Sequence, residues 1–177
     1  SATIGGSITL GSLDIGHGAG GEATNTAVGT DALDASHASS EKNTAIGHDA
    51  LTSLNNASSI CNTAVGNNSL GSLTNAAYNV AVGSNSGDAI TTGVRNTAVG
   101  HNSLGATDDG HDNTAVGNSA LAANCVDNNV AVGKNALTVF TGSNATAVGK
   151  DALAACTTGG ENTAVGHQSA AALTTGY

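Results

Sequence analysis

The sequence predicts an all-β chain wound as a parallel β-solenoid of about nine coils, and three observations carry the prediction. The first is a repeat. The stretch Asn25-Thr26-Ala27-Val28-Gly29-Thr30-Asp31-Ala32-Leu33 returns with small edits to the end of the chain. Later copies begin at Asn43, Asn62, Asn79, Asn96, Asn113, Asn129, Asn144 (read with one residue, Ala145, inserted) and Asn162. Their glycines are Gly29, Gly47, Gly66, Gly83, Gly100, Gly117, Gly133, Gly149 and Gly166, spaced by 16 residues at the shortest (Gly133 to Gly149) and 19 at the longest (Gly47 to Gly66). A short fixed period signals units that each cover a neighbour. The second observation is composition. Of 177 residues one is Phe, two are Tyr, and none is Trp, Met or Pro, while 25 are Gly and 10% are charged. Large side chains normally supply the buried area of a globule, so a thin interior is expected. The third is that a helix does not fit: Gly and Asn are too frequent and the apolar spacing is wrong for a helical face.

Three regions follow: residues 1–24 as degenerate repeats forming a cap, 25–170 as the repeat body, and 171–177 as a tail. In the first, Ala2-Thr3-Ile4-Gly5 and Leu13-Asp14-Ile15-Gly16-His17 echo the motif, and Gly16–Gly21 reads as flexible or as a change of register. An atypical terminal unit is expected where a solenoid is capped.

Within a copy, residues two apart on a strand share a face. The position after Asn is Thr or Val, and two residues on comes Val28, Ile46, Val65, Val82, Val99, Val116, Val132, Val148 or Val165. Hydrophobicity assigns both to the interior. The Ala between them then faces outward, and since it is never larger, a neighbouring subunit is expected to pack on it. The Gly marks a corner with positive φ or close backbone approach. Two variable polar residues form a solvated corner, and Ala or Ser followed by Leu starts a second short strand. The Ser86-Gly87 copy lacks the Leu, a space that Ile90 fills. A turn-rich connector closes the coil and absorbs insertions. Stacked copies place the motif asparagines in a side-chain amide ladder.

The net charge is −9, and the four basic residues, Lys42, Arg95, Lys134 and Lys150, are scattered. Without a basic stripe, neither nucleic acid nor anionic lipid is an expected partner, and no apolar run is long enough for a spanning helix. The first residue is Ser, so the chain reads as a processed or excised piece of a longer product. Cys125 and Cys156 fall two coils apart, about 10 Å, beyond the roughly 7 Å Cα limit of a disulfide; with Cys61 they read as free thiols or as bridges between chains.

No residue is assigned to catalysis, a cofactor or a metal. His48, His101 and His167, each following a motif Gly, would each form a ring of three imidazoles in a trimer, an arrangement able to hold a metal or an anion, but their corner accepts any polar residue. Asp108, Asp109 and Asp112 sit in an acidic turn that lacks calcium-loop spacing. Gly83–Gly87 has Asn at its centre and is not a nucleophile elbow. Asn56, Asn67 and Asn144 open glycosylation sequons expected by chance in this composition.

The repeated Asn-Thr-Ala-Val-Gly-x-x-Ala/Ser-Leu of residues 25–170 resembles the repeats of phage and bacterial tail-fibre-like proteins, and is similar to those in the heads of YadA-like trimeric autotransporter adhesins. The resemblance implies a left-handed parallel β-roll, assembled as a homotrimer on a cell surface or virion. The expected function is a structural and adhesive extracellular fibre segment, possessing no catalytic residue and able to polymerise end to end, with a surface receptor or glycan as partner. Two alternatives stand beside it. One is an ice-binding solenoid, which needs a flat outward row of Thr; an inward motif Thr counts against it. The other is a hexapeptide-repeat left-handed β-helix enzyme, since Val28–Leu33 fits that pattern, although only one hexad is clear per coil.

Overall fold

A computed structural model describes residues 8–10, 13–21 and 23–176. All regular structure is β: β1 (Ile8–Leu10), β2 (Leu13–Gly16), β3 (Thr26–Val28), β4 (Thr44–Ile46), β5 (Thr63–Val65), β6 (Val80–Val82), β7 (Thr97–Val99), β8 (Thr114–Val116), β9 (Val130–Val132), β10 (Thr146–Val148) and β11 (Thr163–Val165). They form one sheet in chain order. From β3 to β11 every pairing is parallel and in register, Ala upon Ala, from Ala27 on Ala45 to Ala147 on Ala164. The chain is a β-solenoid. No helix occurs among the described residues, so none is long and apolar enough to cross a membrane.

The inward and outward faces are the reverse of the sequence expectation. Ala45, Ala64, Ala81, Ala115, Ala131 and Ala147 are wholly buried, and the Thr or Val on either side of each is half-exposed or exposed. The reason lies one residue earlier. Asn43 and Ala45 are two apart and share a face, and Asn43, Asn62, Asn79, Asn113 and Asn129 are all fully buried. Once the asparagine points inward, strand alternation sends Ala inward and Thr and Val outward.

The buried asparagines stack as a ladder. Each Oδ1 accepts the backbone N–H of the next asparagine, as in Asn62 to Asn43 (2.9 Å), Asn96 to Asn79 (2.9 Å) and Asn113 to Asn96 (3.0 Å). Each Nδ2 donates to a carbonyl of the turn, as Asn79 to Gly93 (2.9 Å) and Asn96 to Gly110 (2.8 Å). The ladder corrects the reading of Asn144. Ala145, not Asn144, takes the rung: its N–H donates to Asn129 Oδ1 (3.0 Å) and its carbonyl accepts from Val130. Nothing is inserted; asparagine is replaced at that rung. Asn144 occupies the preceding corner, with φ +60.

From Gly29 to Gly149 the corner glycines stack so closely that a Cβ on any of them would collide with the next coil. At Gly66 (φ +137) it would lie 2.4 Å from the Gly83 carbonyl oxygen. No second strand follows. Leu33, Leu51, Leu70, Leu104, Leu121, Leu137 and Leu153 are instead in turns at left-handed φ, from +47 to +54. That conformation costs about 1–2 kcal/mol per residue. Burying each Leu returns roughly 1.5–3 kcal/mol, and all seven are at most 1% exposed. Gly87 takes the Leu position in its coil, and the buried Ile90 approaches to within 3.1 Å of where its Cβ would be.

The N-terminal region is not a further copy of the repeat. β2 runs antiparallel to β3, with Ile15 beside Val28, and β1 runs antiparallel to β2; Ala2–Gly5 lie outside the described residues. Part of the predicted flexible segment is tied to the first coil, through Ala19 N–H to the Leu33 carbonyl (3.0 Å) and Gly20 N–H to Ser36 Oγ (2.7 Å). At the other end, residues 171–176 lie along the preceding coil, with Thr157 N–H on the Thr174 carbonyl (2.9 Å) and a parallel bridge between Thr158 and Thr175. No described strand covers β11, and Val165 on it is 69% exposed.

Candidate functional site

The alternation that buries Asn and Ala produces the most regular surface of the molecule. Two rows of β-branched side chains face solvent. One is Thr26, Thr44, Thr63, Val80, Thr97, Thr114, Val130, Thr146 and Thr163; the other is Val28, Ile46, Val65, Val82, Val99, Val116, Val132, Val148 and Val165. Coils about 4.8 Å apart give nine rungs a length of about 38 Å, and residues two apart on a strand lie about 6.6 Å from each other. The two rows thus enclose a stripe of roughly 250 Å², continuous from the first coil to the last. Ile46, Val80 and Val82 are each about two-fifths exposed.

Polar rows border the stripe. On one side are the left-handed residues that precede the ladder: Lys42, Cys61, Tyr78, Arg95, Asp112, Asn128, Asn144 and Glu161, at φ +58 to +64. On the other are the residues after the Gly corners, among them His48, His101, Lys134, Lys150 and His167, all exposed. Arg95 donates two hydrogen bonds to Asp112 (2.6 and 2.8 Å), and these hold the Asp112 carboxyl below the usual range. The hydrogen bond from Lys150, then that from Asn135, does the same for Asp151.

The candidate ligands are not brought together by the coil. His48, His101 and His167 stand in one row but three and four coils apart, about 14 and 19 Å. His101 Nδ1 lies 3.3 Å from Asn118 Nδ2. Asp108 is hydrogen-bonded by Thr91 Oγ1, Asp109 is exposed, and Asp112 is held by Arg95. Cys125 and Cys156 are buried and Cys61 half-buried, all as free thiols; burial raises the Cys125 and Cys156 thiols above their ordinary value. A cavity of about 290 Å³ opens between cap and first coil, with Asp14, Asp31 and Asp34 in its lining.

Sequence reasoning missed the outward stripe and the juxtaposition of Asp31 with His48 and Asp49. A signal for both was present. Adjacent residues cannot both face inward on a strand, so the Asn ladder excluded an inward Thr. Aligning the Gly corners also places Asp31 and Asp49 at the same point of consecutive coils.

Comparison with known protein families, with curated proteins and with solved structures finds no match.

Proposed function

We propose that the chain is a non-catalytic structural segment of an extracellular fibre, of the tail-fibre or trimeric-adhesin kind, on a cell surface or virion. Copies associate through the outward Thr/Val stripe, as a homotrimer whose members can also stack end to end. The observation that carries this reading is the stripe itself: nine rungs without a charged residue on either row, in a chain where charged side chains occupy the bordering rows. Interaction surfaces typically have an apolar, charge-depleted centre and a polar rim. A stable interface buries about 800 Å² per partner, so the stripe would supply about a third and its borders the remainder. The varied residues of the outer corners and connectors are where a receptor or glycan would be contacted.

The test is mass in solution by light scattering. The chain is expected at three times its monomer mass, or as longer polymers. Val99→Lys, in the middle of the stripe, is expected to return it to monomer while the circular dichroism spectrum stays unchanged. A wild-type chain that remains monomeric at high concentration would overturn the proposal.

A second reading, an ice-binding solenoid, gains support from one observation: seven of nine rungs carry an outward Thr, the geometry this function needs. The all-aliphatic second row favours a protein partner instead. Thermal hysteresis by the monomer, lost in Thr97→Lys, would favour ice.

A further inference from the structure

We propose that Asp31, His48 and Asp49 bind a divalent first-row metal ion, with Zn²⁺ the best-matched case, and that the ion staples the first coil to the second beside the cap. One ligating atom from each residue lies within 4.8 Å of the other two, the only such convergence among the described residues. The donor set is one imidazole and two carboxylates. Imidazole suits zinc, copper, iron and nickel, whereas all-oxygen sites suit magnesium and calcium. With bonds of about 2.0–2.1 Å, ligand atoms on a tetrahedral zinc stand about 3.3 Å apart. Closure therefore asks for shifts of about 1–1.5 Å, within reach of rotation by side chains that are exposed or half-exposed. His48 Nδ1 already lies 2.7 Å from Asp49 Oδ2.

The placement within the stack is a separate reason. Asp31 and Asp49 belong to the row two residues past the Gly corner, which continues as Asn68, Asn85, Asn102, Ser119, Asn135, Asp151 and Gln168. Elsewhere in that row amides meet their neighbours: Asn68 Nδ2 donates to Asn85 Oδ1 (3.3 Å) and Asn135 Nδ2 to Asp151 Oδ1 (3.0 Å). Only at Asp31 and Asp49 do two carboxylates stand on consecutive rungs. Their coils are joined there by Asp49 N–H to the Thr30 carbonyl (3.1 Å). A cation between like charges offsets their repulsion. The acidic cavity lined by Asp14, Asp31 and Asp34 adjoins the same residue and leaves room for a water on the open coordination position.

The experiment titrates the purified chain with Zn²⁺ by calorimetry, and with Co²⁺ read by its visible absorption. One ion per chain is expected. His48→Gln and, separately, Asp31→Asn are each expected to weaken that site more than about tenfold, since even loss of a group that only hydrogen-bonds to a ligand costs about 10–100-fold. Asp31→Asn also installs the amide this row carries elsewhere, so folding should be preserved, which circular dichroism checks. Zn²⁺ should raise the midpoint of thermal unfolding of the parent chain and not of Asp31→Asn. Absence of stoichiometric binding would overturn the assignment. So would binding that both variants retain, which would place the ion on His17, His37, His111 or a thiol instead.

Discussion

The two faces of each three-residue strand obey different constraints. On the inner face Asn and Ala repeat almost without variation, and every reason for it is found within the chain. The Asn side chain closes two hydrogen bonds to the neighbouring coil, and Ala is what fits beside a second layer of buried Leu. The outer face is nearly as regular: Val in eight of nine copies at one position, Thr or Val at the other. Within the chain these side chains meet like residues on the adjacent coils, a setting that suits β-branched residues. Exposed positions with no structural duty normally drift toward charged and polar residues, as the flanking rows do. The proposed association of copies through the stripe would account for the regularity of the outer face.

Substitutions can separate the two faces, and the largest effect is expected at the corner that joins them. At Gly66 an alanine would be strained by φ +137 and would place Cβ 2.4 Å from the Gly83 carbonyl oxygen. Relief requires the coils to part. Gly66→Ala is expected to cost at least about 3 kcal/mol, in the class of severe backbone effects. Val99→Thr, an isosteric change on the outer face of a central rung, is expected to change monomer stability by no more than about 0.5 kcal/mol. Urea unfolding of the two variants measures the difference directly. If Val99→Thr proves as damaging as Gly66→Ala, the outer row is structural within the monomer and the argument for a partner fails.

The asparagine ladder should give the next largest effect. Asn79 Oδ1 accepts the Asn96 N–H (2.9 Å), and its Nδ2 reaches the Gly93 carbonyl (2.9 Å) and Asn62 Oδ1 (3.2 Å). Asn79→Ala strands these buried groups, at about 1–3 kcal/mol for each left unpaired; a loss of about 2–4 kcal/mol is expected. The chain contains its own version of this variant at Ala145. There Asn162 compensates by turning Nδ2 back to the Gly159 and Gly160 carbonyls (3.2 and 3.3 Å). Ala145→Asn should restore the rung and raise stability by about 1 kcal/mol, read as a higher urea midpoint at constant slope.

How much of this was legible in the sequence depended on whether the backbone or the side chain makes the demand. Gly29 through Gly149 announce their corner because no other residue reaches φ near +130 against an adjacent carbonyl. The ladder was legible because Asn recurs at one phase. The orientation of the strand is the reverse of what the preference for burying Val over Ala predicts, because Asn one residue earlier fixes the parity. The Leu turns left no trace, since Leu has no affinity for left-handed φ and adopts it here only because the interior rewards its burial. The residues before the ladder, as different as Lys42, Tyr78 and Glu161, share left-handed φ with no common chemistry. The Asp31–His48–Asp49 grouping was half visible: His48 stood out as a potential ligand, while its carboxylate partners emerge only when the coils are stacked.

The smallest expected effect lies where the interior admits a charge. Asp88 is half-buried in the coil that has Gly87 in place of Leu, and its Oδ1 has no hydrogen-bond partner. Burial raises its pKa above the ordinary 3.8, against opposing bonds from its own and the Ala89 backbone N–H and the field of His101. In the unfolded chain the carboxyl ionises near its ordinary value, while in the fold it retains its proton to higher pH. Across that interval the native state binds more protons, so the contribution of Asp88 to stability falls as pH rises and is flat above it. Asp88→Asn removes the titration. The variant should gain on the parent chain as pH rises through that interval and hold a constant, small advantage above it, limited by solvent screening at a partly exposed site. Midpoints of thermal unfolding across that range give the answer; an advantage that shrinks with rising pH would mean that Asp88 is stabilised in its ionised form, with a cation at Oδ1.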